Sequence, residues 1–285
     1  MITESNGKAP DLGRFIATVW EEGGLRYRDL PWRNIDDPYA VLVSEVMLQQ
    51  TQVVRVLKHW ERFLSLFPTL DALAAADTAF VLEQWQGLGY NRRALALKRT
   101  AEQCSESGQG KLPKTVDELM ALPGIGQATA AGVVAFAYDK PSIYIETNVR
   151  TVFIHELFAD AESVTDRELR PLVEATCSED RPRAWYYALL DYGAHLKQIT
   201  VNPSRKSAHY AKQSAFEGSR RQKRAELLRC VLGNPGISRD DLFESLTDFE
   251  KAAGRGGVER ADFESIIAAL VAEGFFKAKG DTLYA

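Results

Sequence analysis

The sequence predicts a mainly α-helical protein, a large helical domain followed by a small winged-helix-like one. Three observations carry this. Apolar residues recur at three- and four-residue intervals, as in Val41, Leu42, Val46, Leu48, Val53, Val56, Leu57, Trp60, Phe63, Leu64 and Phe67, the spacing of one helix face. No alternating run long enough for a central strand occurs before residue 270. After a polar, weakly periodic stretch, "NPSRKSAHYAKQSAFEG" at 202–218, three helical segments precede a terminal hairpin, the order of a winged helix. The expected division is a disordered arm over 1–13, a helical domain over 14–216 and a winged-helix-like domain over 217–285.

The elements follow from local signals. Asp36-Asp37-Pro38 starts the first strongly periodic stretch and Pro68 stops it, the usual helix punctuation. Further helices are expected at 70–86, 92–107, 115–122, 129–138, 148–158, 166–177 and 182–197. In the C-terminal part they are expected at 221–232, 239–249 and 260–273, with a Gly-rich gap at 254–257. Lys279-Gly280-Asp281, inside "GFFKAKGDTLYA", suits the turn of a short hairpin.

Composition excludes several classes. The 285 residues carry a net charge of −4 and are 45% hydrophobic, ordinary for a globular chain. No apolar run reaches the ~18 residues that a membrane span needs. The opening "MITESNGKAPD" lacks the apolar core of a secretory signal, so a cytoplasmic protein is expected. Cys104, Cys177 and Cys230 lie far apart, which suggests neither a disulfide framework nor a four-cysteine metal site. Charge is uneven. Residues 197–224 hold eight Lys or Arg (Lys197, Arg205, Lys206, Lys212, Arg220, Arg221, Lys223 and Arg224) against Glu217 alone, whereas 225–285 hold eleven acids against seven bases. Such a stripe fits either a solvated linker or a phosphate-binding surface.

Two stretches carry chemistry. In "ALPGIGQATAAGVVAFAYDK" at 121–140, Pro123, Gly124 and Gly126 make a stiff, tight turn into a small-residue helix. The first amides of that helix are unpaired and suit an anion. An αα-hairpin corner fits the same residues. The second feature is a pair of carboxyls. Glu45 lies in "VLVSEVMLQQTQVVRV" on an otherwise apolar helix, where desolvation should raise its pKa. Glu146 lies in "PSIYIETNVRTVF" just before a helix start at Thr147 or Asn148, where the dipole should hold it ionised. Two carboxyls pushed in opposite directions suit cleavage of a glycosidic bond through an oxocarbenium-like state.

The segments "PWRNIDDPYAVLVSEVMLQQTQV", "FPTLDALAAAD", "WQGLGYNRRA", "LPGIGQATA", "IETNVRTV" and "LLDYGA" occur in the order and spacing of a known family. Over roughly residues 15–197 the chain resembles the helix–hairpin–helix (HhH-GPD) base-excision DNA glycosylases, and among them most closely the adenine glycosylases. The resemblance implies a two-lobed HhH-GPD fold and hydrolysis of the N-glycosidic bond of a damaged or mispaired base, with adenine first. A thymine- or uracil-type glycosylase, which "ETNVR" also resembles, and a catalytically impaired DNA-binding module are the alternatives. The implied partner is double-stranded DNA with a lesion or mismatch, bound by a nucleoid-associated monomer.

The resemblance implies that Glu45 protonates the base and Glu146 stabilises the sugar cation. It places Gln50 as a wedge in the space of a flipped nucleotide, chemistry on a base requiring it out of the stack. It implies further DNA contacts for Gln52, Tyr90, Arg92 and Asn148, and for Leu122, Gly124, Gly126, Ala128 and Thr129 of a hairpin that grips phosphate. A monovalent cation on backbone carbonyls near Leu122 and Ile125 is the one cofactor it suggests.

Several positions depart from the family. Its usual aspartate is here Glu146, one methylene longer, and its lyase lysine is Ala128, so a monofunctional enzyme is expected. The first cysteine of its iron–sulfur cluster is Lys197, and no Cys occurs from 178 to 229, so no cluster is expected. Arg205, Lys206 and Lys212 in the replacing loop are expected to take over its DNA contacts. The second tyrosine of a "GLGYY" motif is Asn91, and residues 219–285 are too short for the family's Nudix-like C-terminal domain.

Overall fold

The computed structural model describes residues 10–107 and 110–285. Most of the expected arm, residues 1–9, lies outside the described residues. In chain order the helices begin with α1 (Leu12–Leu25), α2 (Pro38–Leu48), α3 (Val53–Leu66), α4 (Leu70–Ala75), α5 (Thr78–Gln84) and α6 (Arg92–Glu106). They continue with α7 (Val116–Met120), α8 (Gln127–Tyr138), α9 (Thr147–Leu157), α10 (Asp166–Thr176), α11 (Pro182–Ile199) and α12 (Arg220–Gly233). Strand β1 (Ile237–Ser238), α13 (Arg239–Ala252), α14 (Arg260–Ala272), β2 (Lys277–Lys279) and β3 (Thr282–Tyr284) complete the chain.

The main departures from the sequence expectations each have a local reason. Asp11 caps α1 by accepting the Arg14 N–H, so the helix takes in Leu12 and Gly13 from the expected arm. The periodic stretch after Pro38 is two helices, because Gln50 adopts a left-handed φ of 54° that no α-helix can propagate. The stretch at 70–86 also divides. Ala76 is extended, and Asp77 starts α5 by accepting the Ala79 N–H at 2.9 Å, an N-cap that outcompetes helix continuation.

The chain forms two compact units, each discontinuous in sequence. The first comprises Met1–Gln49 and Lys111–Lys212, the second Gln50–Gly110 and Gln213–Ala285. In the first, α2 packs on α8, and α11 packs on α1 and α9. Almost every residue of α2 and α8 is buried, as their apolar surface all the way round requires. An ion pair ties its two sequence segments together. Arg33 donates to both Asp191 oxygens, at 2.7 and 2.8 Å, and its guanidinium lies 4.4 Å from the centre of the Tyr187 ring. Both ends of the pair are buried, so the "PWR" and "LLDYGA" segments meet as a structural staple.

In the second unit Phe63 anchors an aromatic core against Phe67 and Trp85, at ring separations of 4.8 and 5.7 Å. The C-terminal elements are three helices and a three-stranded antiparallel sheet in the order β1-β3-β2. Gly280, at φ 60°, makes the expected hairpin turn. Strand β1 adds a third strand too short to show a sequence signature. Glu273 joins α6 to these elements: Arg92 reaches it through two bonds of 2.6 Å, Arg224 through one of 2.6 Å, and Arg99 donates to its carbonyl at 2.8 Å. Among the described residues no helix is long and apolar enough to cross a membrane.

Candidate active site

The site is built in the first unit. Asp37 caps α2 by accepting the Tyr39 and Ala40 N–H groups, which sets the rotation of the helix and aims Glu45 at α8. The small residues of α8 leave room for it. A Cβ on Gly132 would stand 2.4 Å from Glu45 Oε2 and 3.0 Å from Tyr144 Cε2, so only glycine admits the carboxyl there. The Tyr144 hydroxyl donates to Glu45 Oε2 at 3.3 Å.

Tyr144 is itself held on three sides. Its ring packs edge-on against Phe136 and Tyr186, at 5.2 and 5.3 Å, and its N–H donates to the Tyr186 hydroxyl at 3.2 Å. Burial, with added repulsion from Glu146, pushes the Glu45 pKa up to about 8, against a smaller opposing pull from the Tyr144 hydroxyl. At neutral pH Glu45 is therefore largely protonated.

Glu146 is the N-cap of α9. Its carboxylate accepts the N–H groups of Asn148 and Val149, the latter at 2.9 Å. The Asn148 amide nitrogen lies 3.4 Å from its second oxygen. The sequence expectation that the helix start would hold Glu146 ionised below its ordinary value is corrected here. Burial dominates and raises its pKa, while Lys197, the two amides and Arg150 oppose the rise. Both carboxyls are thus pushed upward, because desolvation acts on both. They differ in surroundings: Glu45 meets a hydroxyl, whereas Glu146 meets two backbone amides and feels the charges of Lys197 and Arg150.

The profile of the HhH-GPD superfamily base excision DNA repair proteins matches residues 43–177, the span that contains both carboxyls. That match spans a little under half of the chain. It is 38% identical over 169 residues to the adenine DNA glycosylase of Mycolicibacterium smegmatis, covering 59% of this chain and 58% of that one. With the adenine DNA glycosylase of Mus musculus it shares 33% identity over 223 residues, 74% of this chain and 42% of that one. The chain thus spans about half the length of the curated relatives it matches. A thermostable thymine-DNA glycosylase shares the fold, with a TM-score of 0.57, 23% identity and coverage of 64% of this chain and 86% of that one. So does endonuclease III in a non-covalent DNA complex, with a TM-score of 0.55, 19% identity and coverage of 66% and 86%.

The hairpin expected from the sequence joins α7 to α8. Leu122 is buried, Gly124 has φ 72°, and Gly126 is the N-cap of α8 with no capping side chain. Ala128 lies in the first turn of α8, and Thr129 is fixed by accepting the Gln49 amide at 2.9 Å. Glu45, the hairpin, Glu146, Asn148, Arg205, Lys206 and Lys212 all belong to the first unit; Gln50, Gln52, Tyr90 and Arg92 belong to the second. Gln50 and Tyr90, both exposed, have left-handed φ values of 54° and 50°. Such conformations in large side chains cluster at functional sites. Exposed Gln52 is the N-cap of α3.

The basic stripe resolves into separate roles. Arg220 and Lys223 both pair with Asp262, Arg224 pairs with Glu273, and Arg221 donates to the Tyr90 hydroxyl at 2.9 Å. Lys206 donates to the Ala159 carbonyl. Arg205 and Lys212 are exposed. The segment that holds them is anchored, not a free linker, at its start: the Val164 N–H donates to the Lys206 carbonyl at 2.8 Å, and the Ala208 N–H to the Val164 carbonyl at 2.9 Å.

The three thiols stand on α6, at the end of α10 and on α12, and Lys197, at the position of the family's first cluster cysteine, faces Asn148.

Sequence reasoning missed Tyr144 and Gly132 as parts of the site. The alternation of "SIYIE" carried a signal for the first, since residues two apart in an extended segment share a face. For Gly132 no local signal exists, because its role is to leave space for a side chain 87 residues earlier.

Proposed function

We propose that this protein is a monofunctional DNA glycosylase that hydrolyses the N-glycosidic bond of a base in duplex DNA, most favourably adenine in a mispair. The observation that carries the reading is geometric: the Glu45 carboxyl fills the space left by Gly132 against the Tyr144 hydroxyl, in the same unit as the N-capping Glu146 carboxylate and within the span matched by the HhH-GPD profile. A buried acid with a pKa near the working pH is suited to donate a proton in the transition state.

Glu45 donates its proton to a ring nitrogen of the leaving purine, and the C1′–N bond breaks with its electron pair leaving on the base. Glu146, accepting two amide N–H groups as a carboxylate, stabilises the positive charge that develops on the sugar. Water adds at C1′ and loses a proton, giving free base and an abasic sugar. Ala128 offers no amine for a Schiff base, so the strand stays intact. A purine is favoured because its ring nitrogens remain basic enough to take the proton.

Double-stranded DNA is the proposed partner. The first amides of α8, beyond the Leu122–Gly126 turn, suit a backbone phosphate. The Leu122 and Ile125 carbonyls would hold a monovalent cation there, supplying positive charge beside that phosphate. Gln50 is proposed to fill the space of the flipped nucleotide.

The test is a panel of duplexes, each with one mispaired or altered base, scored for strand scission after alkali. Scission after alkali at adenine, and none without alkali, supports the reading. Preference for mispaired thymine or uracil would replace the substrate, and no alkali-labile site on any duplex would leave a binding module.

A further inference from the structure

Lys197 lies in the last turn of α11, and its ammonium is turned inward. Lysines are seldom buried unless paired, yet the side chain is half-buried and donates to Asn148 Oδ1 at 2.7 Å. The close approach of α11 to α9 makes the contact possible. One turn before Lys197, a Cβ on Gly193 would stand 2.4 Å from the Asn148 carbonyl oxygen and 2.8 Å from its Cβ.

An ammonium only donates. It therefore meets the oxygen of the Asn148 side-chain amide and not its nitrogen, which fixes the flip of that amide. The nitrogen then faces Glu146 Oε2, the oxygen of the carboxylate that the Asn148 backbone N–H does not bind.

We infer that Lys197 is a positioning residue for Glu146, orienting the Asn148 amide toward the carboxylate and bringing a positive charge to its side of the site. The inference rests on the proposed function for its meaning, but its geometry does not depend on the substrate.

Four groups act on Glu146 from the surrounding elements: Lys197 from α11, Arg150 from α9, Glu45 from α2 and Tyr144 from the segment before α9. Arg150 is already committed to Asp166 through two bonds of 2.7 Å, so much of its charge is answered there. The partner of Lys197 is a neutral amide, which leaves its charge to act on Glu146. In agreement, Lys197 is the foremost influence holding down the proton affinity that burial raises on Glu146.

The experiment follows the titration of Glu146 directly, by carbon-13 NMR of side-chain-labelled glutamate in the full chain, with Glu146→Gln giving the assignment. Lys197→Met and Lys197→Gln are compared with wild type and with Lys197→Arg, and near-UV circular dichroism confirms the fold of each. The Glu146 midpoint should rise by about one pH unit or more when the charge is removed. Lys197→Arg should return it most of the way. The acid limb of the single-turnover rate profile should move by the same amount, with affinity for an abasic-site duplex within a few-fold of wild type. An unchanged midpoint in a folded neutral variant overturns the inference. If wild type releases no base from any duplex, the proposed function fails while the NMR titration still decides the role of Lys197.

Discussion

Glu45 retains its proton because burial removes the water that would stabilise its charge, and Tyr144 supplies only one partly compensating hydrogen bond. Glu45→Gln should abolish base release, a loss of roughly 10² to 10⁴ in single-turnover rate, with duplex affinity within a few-fold of wild type. A near-normal rate in the variant would remove Glu45 from the chemistry. The same group affects stability, with a definite sign. Its folded pKa of about 8 exceeds its ordinary 4.5, so the folded state binds more protons between those values. Wild-type stability therefore declines as pH rises from 4.5 toward 8, by up to a few kcal/mol. Glu45→Gln should lack that decline and be the more stable protein at pH 8, as urea denaturation at several pH values would read. Gln50 carries a different cost, its left-handed backbone. Gln50→Gly should stabilise the protein by about 1 kcal/mol and reduce discrimination between mispaired and matched duplexes. Denaturation and competition binding measure the two effects separately.

The elements present these residues in defined ways. Helices α2 and α8 are mostly buried against each other, and the space left by Gly132 is filled by the Glu45 carboxyl. Helix α9 begins on Glu146 instead of an ordinary Ser or Asp cap, so the helix start and the proposed chemistry share one side chain. In the first turns of α12, pairing by Asp262 and Glu273 answers Arg220, Lys223 and Arg224. Exposed Arg205 and Lys212 are left as the better candidates for phosphate. Their double replacement by Ala should weaken binding to every duplex alike and reduce the slope of log K against log salt by about 1.8. Lesion preference should survive, since phosphate contacts position and base contacts specify. An unchanged slope in salt-titrated binding to an abasic-site duplex would show that this loop does not touch DNA.

Across the whole molecule, each compact unit is assembled from two separated stretches of chain, so long-range pairs govern stability. The Arg33–Asp191 pair bridges 158 residues in sequence, and Arg28 adds a further donor to the same carboxylate. Asp191→Asn leaves the buried Arg33 guanidinium without its counter-charge and should cost about 3–5 kcal/mol. Thermal and urea unfolding would show this, and a change within measurement error would reduce the pair to a dispensable contact.

Much of this protein was legible from local rules. Helix periodicity, the Asp37 cap, the LPGIG turn and one acid on an apolar helix depend on residues within a few positions of each other, so the chain alone determined them. The direction of the Glu146 shift was not local. The dipole at its own helix start argues for a depressed value, and burial by elements distant in sequence outweighs it. The inward turn of Lys197 follows from the close crossing of α11 and α9 at Gly193, and the pairing of Arg220, Lys223 and Arg224 follows from acids 39 to 49 residues away. Desolvation and charge pairing are properties of what lies nearby in space, so only the tertiary structure decided them.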